Sequence, residues 1–314
     1  MINIYDCSNS PERPSNRGFG GSVENACVKL LKKYSANFDC LFIDDPNKAD
    51  LFFTNDIFPH WILQYKIPKV KRMDGIFWQQ SLMERNEAYN KAAQQADCVL
   101  FVSQYSQNSY EYLYGHNLKK SLVALNWVDI DIFYPLGCPE NKITSFIAIA
   151  TDWIREEKRA KALIEFARLL PKEITLIIIG NNSHLLRAHN TICYPYIDND
   201  RQLASILRRY DALINLSYRD ASPKVVAEAQ SCGLPVLYAD SGGTPELVFN
   251  GCPIRDIDNK DSIPDISIPN MEIILNNFLY VYPHFKNYTE HSFQKMNNML
   301  SKYFSAFKEL INET

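Results

Sequence analysis

At 314 residues the chain has length for two domains of ordinary size, each with a sizeable core. A hydrophobic share of 46% against 22% charged residues excludes a disordered chain, and a net charge of −3 gives no support to general nucleic-acid binding. The 8 cysteines, with no C-x-x-C pair and no ligand-like spacing to His, read as reduced, packed thiols of a cytosolic protein. The start, MINIYDCSNS, lacks an apolar core of signal-peptide length, and no run reaches ~18 apolar residues. Neither secretion nor a membrane span is expected, and peripheral membrane contact stays open.

In chain order, Ile2 to Tyr5 is a short apolar strand, followed by the polar loop SNSPERPSNRGFGGS and a helical pattern from Val23 to Tyr34. Gly20 and Gly21, just ahead of that helix, suit a close approach of backbone to phosphate, or simply a flexible loop. DCLFID (39–44) and DLFFT (50–54) read as buried parallel strands. A further strand in IPKVKRMDG ends at Arg72-Met73-Asp74-Gly75, where an Asp-Gly turn is the plain reading. The basic run Lys66, Lys69, Lys71 and Arg72 reads as a solvated loop, with attraction of an anionic partner as the alternative. ADCVLFV (96–102) is another buried strand, followed at Ser103 by a helix that carries Tyr110 and Tyr114. PLGCPEN (135–141) gathers Pro and Gly with no apolar period across it and is the expected interdomain linker.

The second half restarts with the strand SFIAIA (145–150) and a helix whose Ala162, Leu163, Phe166, Leu169 and Leu170 form one face. Arg155, Lys158 and Arg159 gather at the start of that helix, beside the carboxyl end of a strand, where open α/β sheets bind ligands. EITLIIIG (173–180) is the clearest buried strand; TICYPYIDND and the helix QLASILRRYD follow it. The stretch 213–248 then reads as strand, polar turn, helix, Gly-Leu-Pro stop, second strand, Gly-Gly loop and helix start, which is a βαβ unit. Ser222 fits the N-cap and Pro223 the first helical position, while Cys232-Gly233 ends the helix. Backbone N–H groups from Ser222 through Lys224 to Val225 suit a diphosphate. Asp220 precedes this helix and Glu228 lies about two turns along it, a placement that addresses two ends of one extended ligand. A Pro-rich passage through Pro253, Pro264 and Pro269 leads to a last helix with Phe293, Met296, Leu300, Tyr303, Phe304 and Phe307 at i, i+3/i+4 spacing.

The run DASPKVVAEAQSCGLPV from Asp220 to Val236, with Ser217 before it and GGTPE (242–246) after it, resembles the signature of the nucleotide-sugar-dependent glycosyltransferases of family 4. That resemblance implies an α/β chain of the GT-B fold: two Rossmann-like domains with a cleft between them and a C-terminal helix returning to the first domain. The expected divisions are 1–136, 142–283 and 284–314. It further implies a retaining, metal-independent transfer from a UDP- or GDP-linked sugar to a carbohydrate or lipid-linked acceptor, with no cofactor beyond the donor. Glu228 then takes the ribose hydroxyls and Asp220 faces the donor sugar. Lys158 matches the family lysine that neutralises the diphosphate; Trp153 falls at the arginine position, so Arg155 or Arg159 is expected to substitute. The segment 18–24 resembles the family's Gly-Gly loop, and Arg72 to Gly75 resembles an Arg-x-Asp-Gly strand end beside the reacting sugar. Asp74, Lys158 and Asp220 are thus the expected catalytic residues. Asn126 and Asp129 match the end of the first domain, with Trp127 in place of glycine. Two departures fall in the sugar half of the site: Asp220 is one methylene shorter than the usual Glu, and Pro223 removes a glycine N–H.

Other readings are weaker. Three D-x-D triplets, at Asp129/Asp131, Asp198/Asp200 and Asp256/Asp258, carry the letters of the metal site of the other large glycosyltransferase fold, but each has a turn explanation. No G-x-G-x-x-G joins the first strand to its helix, and no G-x-S-x-G elbow is present. A protein that keeps the fold for binding or scaffolding and lacks the chemistry is the competing class.

Overall fold

The structure is a computed structural model that describes residues 1–9, 21–78, 82–136, 142–256, 265–266, 268–285 and 289–313. Gly20, Asp258 and Pro264, singled out above, lie outside the described residues, as does most of the 135–141 passage. Two compact units divide the chain: Met1–Asn126 with Asn298–Thr314, and Trp127–Asn297.

In the first unit the short apolar runs become strands β1 (Ile2–Asp6), β2 (Cys40–Ile43), β3 (Leu51–Thr54), β4 (Lys69–Met73), β5 (Cys98–Phe101) and β6 (Ser121–Val123). Helices α1 (Gly21–Tyr34), α2 (Met83–Gln95) and α3 (Gln104–Tyr114) connect them. The sheet order is β2-β1-β3-β4-β5-β6 and every pairing is parallel. Ser103 caps α3 by accepting the Ser106 N–H at 2.9 Å, as its place before the helix predicts.

The second unit carries β7 (Ser145–Asp152), α4 (Ala160–Leu169), β8 (Thr175–Asn181), β9 (Thr191–Tyr194), α5 (Asp200–Leu207), β10 (Ala212–Asn215), α6 (Lys224–Ser231), β11 (Val236–Ala239), α7 (Thr244–Leu247), β12 (Gly251–Ile254) and α8 (Ile268–Phe285). Its order, β12-β11-β10-β7-β8-β9, is again wholly parallel. The strand order reverses between β7 and β10, and the loops after those two strands are where such a sheet offers a ligand site. Phe146 of β7 meets Phe166 of α4 and Phe278 of α8, with ring centroids 5.2 and 5.6 Å apart. All three rings are fully buried, which stabilises the fold by about 1.5–3 kcal/mol per side chain.

The last helix, α9 (Thr289–Asn312), ends in the first unit. There Phe304 stacks on Phe38 at 4.6 Å, Phe307 meets Phe53 edge-on at 5.6 Å, and the Tyr303 hydroxyl donates to the Ala124 carbonyl at 2.7 Å.

Several elements differ from the sequence reading. Of the basic run, Lys66 is exposed in the loop before β4, as a solvated residue should be, but β4 lies between β3 and β5, and Lys69, Lys71 and Arg72 are buried. Lys69 Nζ donates to the carbonyls of Tyr65 and Ile67 at 2.8 and 2.9 Å, and burial pushes its ammonium pKa down. The Pro-rich passage contains a strand and a long helix. Pro253 is tolerated because β12 is an edge strand that pairs only with β11. In α8, Pro269 falls in the first turn, where its missing N–H has no intrahelical acceptor, whereas Pro283 lies inside the helix near its end and removes one i→i−4 hydrogen bond. Residues 127–136, expected in the first domain, belong to the second unit. Arg208, the C-cap of α5, secures them: its guanidinium donates to the carbonyls of Tyr134, at 2.8 Å, and Ile132, and it packs over the Tyr134 ring at 4.1 Å.

Candidate functional site

At the switch point of the second unit, the loop after β7 and the loop after β10 are tied together by a backbone hydrogen bond from the Tyr218 N–H to the Glu157 carbonyl at 2.8 Å. A short 3-10 turn, Glu156–Lys158, ends in Arg159, whose φ of 52° is left-handed and directs the chain into α4. This turn brings Lys158 Nζ to 2.9 Å from Asp220 Oδ2 and 3.4 Å from Ser217 Oγ. The other carboxylate oxygen, Asp220 Oδ1, accepts the Ser222 N–H at 3.2 Å.

Burial raises the Asp220 pKa, but Lys158, the Ser222 N–H and nearby Arg155 outweigh it and hold the carboxyl below the usual range. Because the folded-state value is depressed, this pair's share of stability is present above the ordinary carboxylate pKa and is lost as pH falls through the lowered one.

The Asp220 backbone is fixed by the Gly-Gly loop. The Gly243 N–H donates to the Asp220 carbonyl at 2.8 Å. Gly242 has φ +65°, and a Cβ there would lie 2.4 Å from the Asp220 oxygen, so only glycine fits. The sequence marks this loop as part of a motif without showing that it buttresses Asp220.

Helix α6 begins one residue later than expected. Pro223, with ψ 110°, is still extended and takes the N-cap place, Lys224 is the first helical residue, and Ser222 stands outside the helix. The N–H groups of Lys224 and Val225 open the first turn, where no intrahelical acceptor exists for them. About two turns along, Glu228 is 4% exposed. Its carboxylate is met by Lys224 Nζ at 2.9 Å, and the same ammonium lies 3.7 Å from Asp200. Burial alone would lower the Lys224 pKa; Glu228 and Asp200 reverse the effect and raise it. The i, i+4 spacing of Lys224 and Glu228 carried that signal in the sequence. Tyr196 stands by this cluster, its hydroxyl pKa pushed up first by burial and then by Asp198 and Glu228.

Other expected site residues are engaged elsewhere. Arg159 forms a two-pronged ion pair with Asp256, Nη1 to Oδ2 at 2.6 Å and Nη2 to Oδ1 at 3.0 Å, and its guanidinium packs over Tyr218 at 4.6 Å. Both side chains are almost fully buried. Arg155 pairs with Glu157 and remains about one-third exposed. Trp153 is a core residue: its indole N–H donates to the Ile179 carbonyl at 3.1 Å and its ring packs against Gly180. In the first unit, buried Arg72 binds Asp74 and, at 2.6 Å, Asn126 Oδ1; the Asp74 side chain is 38% exposed just after β4. Gly21 opens α1.

The D-x-D triplets have local roles. Asp129 Oδ1 accepts the Asp131 N–H at 3.2 Å in a turn, Asn199 rather than its flanking aspartates caps α5, and Asp256 holds Arg159. Among the described residues no group of three or more His, Cys, Asp or Glu is arranged to hold a metal ion.

Comparison with known proteins places these features in context. Residues 140–253 match the family described as glycosyl transferases group 1. Two curated relatives are D-inositol 3-phosphate glycosyltransferases. The one from Xylanimonas cellulosilytica is 26% identical over 167 residues, 44% of this chain and 39% of its own length. That from Mycolicibacterium smegmatis is 27% identical over 171 residues, 46% of this chain and 38% of its own length. The match thus spans less than half of either relative. Among solved structures, a glycosyltransferase from Rickettsia africae ESF-5 superposes with a TM-score of 0.68 at 16% identity, covering 100% of this chain and 99% of its own. Anabaena Alr3699/HepE, solved with UDP and glucose, gives 0.69 at 14% identity over 100% of both chains. Its complex with UDP-glucose gives 0.65 at 16% identity, over 98% of this chain and 100% of its own. At these identities the superpositions establish the fold.

Proposed function

We propose, for a chain that has the GT-B fold of two Rossmann-like domains and carries a glycosyl transferases group 1 domain over residues 140–253, that it moves a sugar from a nucleoside-diphosphate sugar to a hydroxyl acceptor. The observation that carries this reading is the Lys158–Asp220 pair at 2.9 Å beside the first turn of α6, with buried Glu228 two turns along the same helix. An ammonium, open N–H groups and a buried carboxylate at one switch point match the diphosphate and ribose of one ligand.

In this scheme Lys158, Arg155 and the N–H groups of Lys224 and Val225 stabilise the charge that develops on the departing diphosphate. Glu228 accepts the ribose hydroxyls, and Asp220 accepts a hydroxyl of the transferred sugar. The bond from the anomeric carbon to the phosphate oxygen breaks and a bond to the acceptor oxygen forms on the same face. The acceptor proton leaves on the diphosphate oxygen. Retention and the lack of a metal requirement follow from the family resemblance. Arg159 is left out because its guanidinium is committed to Asp256. Asp74, exposed after β4, is the proposed acceptor-side group. We take a UDP- or GDP-linked sugar as donor and a glycan or lipid-linked acceptor, used in the cytoplasm. Among the described residues no helix is long and apolar enough to cross a membrane; peripheral contact with a membrane surface belongs to the same proposal.

Thermal unfolding in the presence of UDP-glucose, GDP-mannose and related donors tests the reading, since a ligand bound only by the folded state raises apparent stability. At 100 times Kd the gain is about 2.7 kcal/mol; no shift with any nucleotide sugar would end the proposal. Binding without transfer to any acceptor, and without donor hydrolysis, would favour a silent binding protein instead. Within the site, Glu228→Gln is expected to weaken donor binding by about 1–3 kcal/mol, through loss of charged hydrogen bonds to ribose. Titration calorimetry giving an unchanged donor affinity would remove Glu228 from the ligand.

A further inference from the structure

The Asp220 carboxylate satisfies two donors that a phosphate oxygen would use. Lys158 Nζ stands 2.9 Å from Oδ2 and the Ser222 N–H 3.2 Å from Oδ1. The first is an ammonium; the second is a backbone N–H just ahead of a helix, and together they are the usual pair for an oxyanion. At these two donors the site's own aspartate takes the place of an anion.

The backbone at this position has no slack. Gly243 holds the Asp220 carbonyl at 2.8 Å, and Gly242 packs so closely that a Cβ would meet that oxygen at 2.4 Å. Asp220 therefore leaves Lys158 only by turning its side chain, and the carboxylate then needs another hydrogen-bond donor. A sugar hydroxyl supplies one; a bare nucleoside diphosphate does not. The short side chain matters as well, because an aspartate reaches the N–H two residues on, as in an Asx turn, where a glutamate is a methylene too long.

Building on the proposed reading of the site, we infer that Asp220 is an internal competitor of the diphosphate, one that yields to an intact nucleotide sugar and opposes the nucleoside diphosphate left after transfer. Asp220 thereby sets the preference between donor and product. With the sugar present, its charge is rehoused on a hydroxyl; once the sugar has gone, the carboxylate and the diphosphate contend for Lys158, and the product is expelled.

Titration calorimetry with pyrophosphate, UDP and UDP-glucose, on the wild type and on Asp220→Asn, tests this. Removing the competing charge is expected to tighten pyrophosphate and UDP by about three- to tenfold. UDP-glucose is expected to gain less or to weaken, so the wild-type preference for donor over product narrows. Asp220→Ser, which keeps a short acceptor for the Ser222 N–H without the charge, carries the same expectation should the Asn variant not fold. The pyrophosphate arm does not depend on which base the protein reads. If the wild type binds these anions and both variants bind pyrophosphate and UDP equally or more weakly, the competitor role is overturned and the reading of the site stands. If neither wild type nor variants bind any of the three, that reading falls, and this inference with it.

Discussion

Replacing Lys158 by Ala is expected to lower turnover of the nucleotide sugar by about 10²–10³-fold, while folding stability changes by about 1 kcal/mol or less. The asymmetry comes from where the ammonium sits. Its side chain is 14% exposed and its partner Asp220 is 24% exposed, so the resting pair is partly screened by water. Asp220 also keeps the Ser222 N–H when Lys158 is gone. In the proposed transfer the same ammonium is the group set against a diphosphate gaining negative charge, and the 3-10 turn that carries it holds no other cation. Steady-state kinetics beside urea unfolding of the same variant separates the two effects. Turnover within a few-fold of wild type would take Lys158 out of the leaving-group role.

Asp256→Ala, by contrast, is expected to cost about 3–5 kcal/mol of stability. The side chains of Arg159 and Asp256 are only 4% and 3% exposed, and two hydrogen bonds join them. Truncation leaves a guanidinium buried against Tyr218 with its counter-charge removed. Asp256 follows β12 and Arg159 precedes α4, so the pair fastens the edge of the sheet to the loop that presents Lys158. The urea midpoint measures the loss, and Asp256→Asn, which keeps the acceptor oxygen without the charge, is expected to lose less. A change below about 1 kcal/mol would mean that Arg159 finds another counter-ion or reaches water.

Local pattern carries information only as far as neighbours in the chain decide the outcome. The alternation of apolar run, polar turn and amphipathic helix determined both sheets, because a buried parallel strand and its returning helix are specified by hydrophobic period and by bounding turns. The β10-α6-β11 unit was legible for the same reason, down to a one-residue shift at Pro223, whose φ suits the N-cap and the first helical position alike. β12 was not legible in the Pro-rich passage, since strand chemistry disfavours a proline such as Pro253 except at an edge, and edge position is a property of the assembled sheet. Lys69, Lys71 and Arg72 read as solvated for a similar reason: three cations in five residues say nothing of the strands on either side. Arg159 and Lys158 adjoin in sequence and have the same charge, yet one is fixed inward by Asp256 and the other meets Asp220 at the switch point. Sequence determined which elements form and where the turn of the candidate site lies; the tertiary structure decided which charges face each other across the sheet, because partners such as Asp220 and Asp256 come from distant parts of the chain.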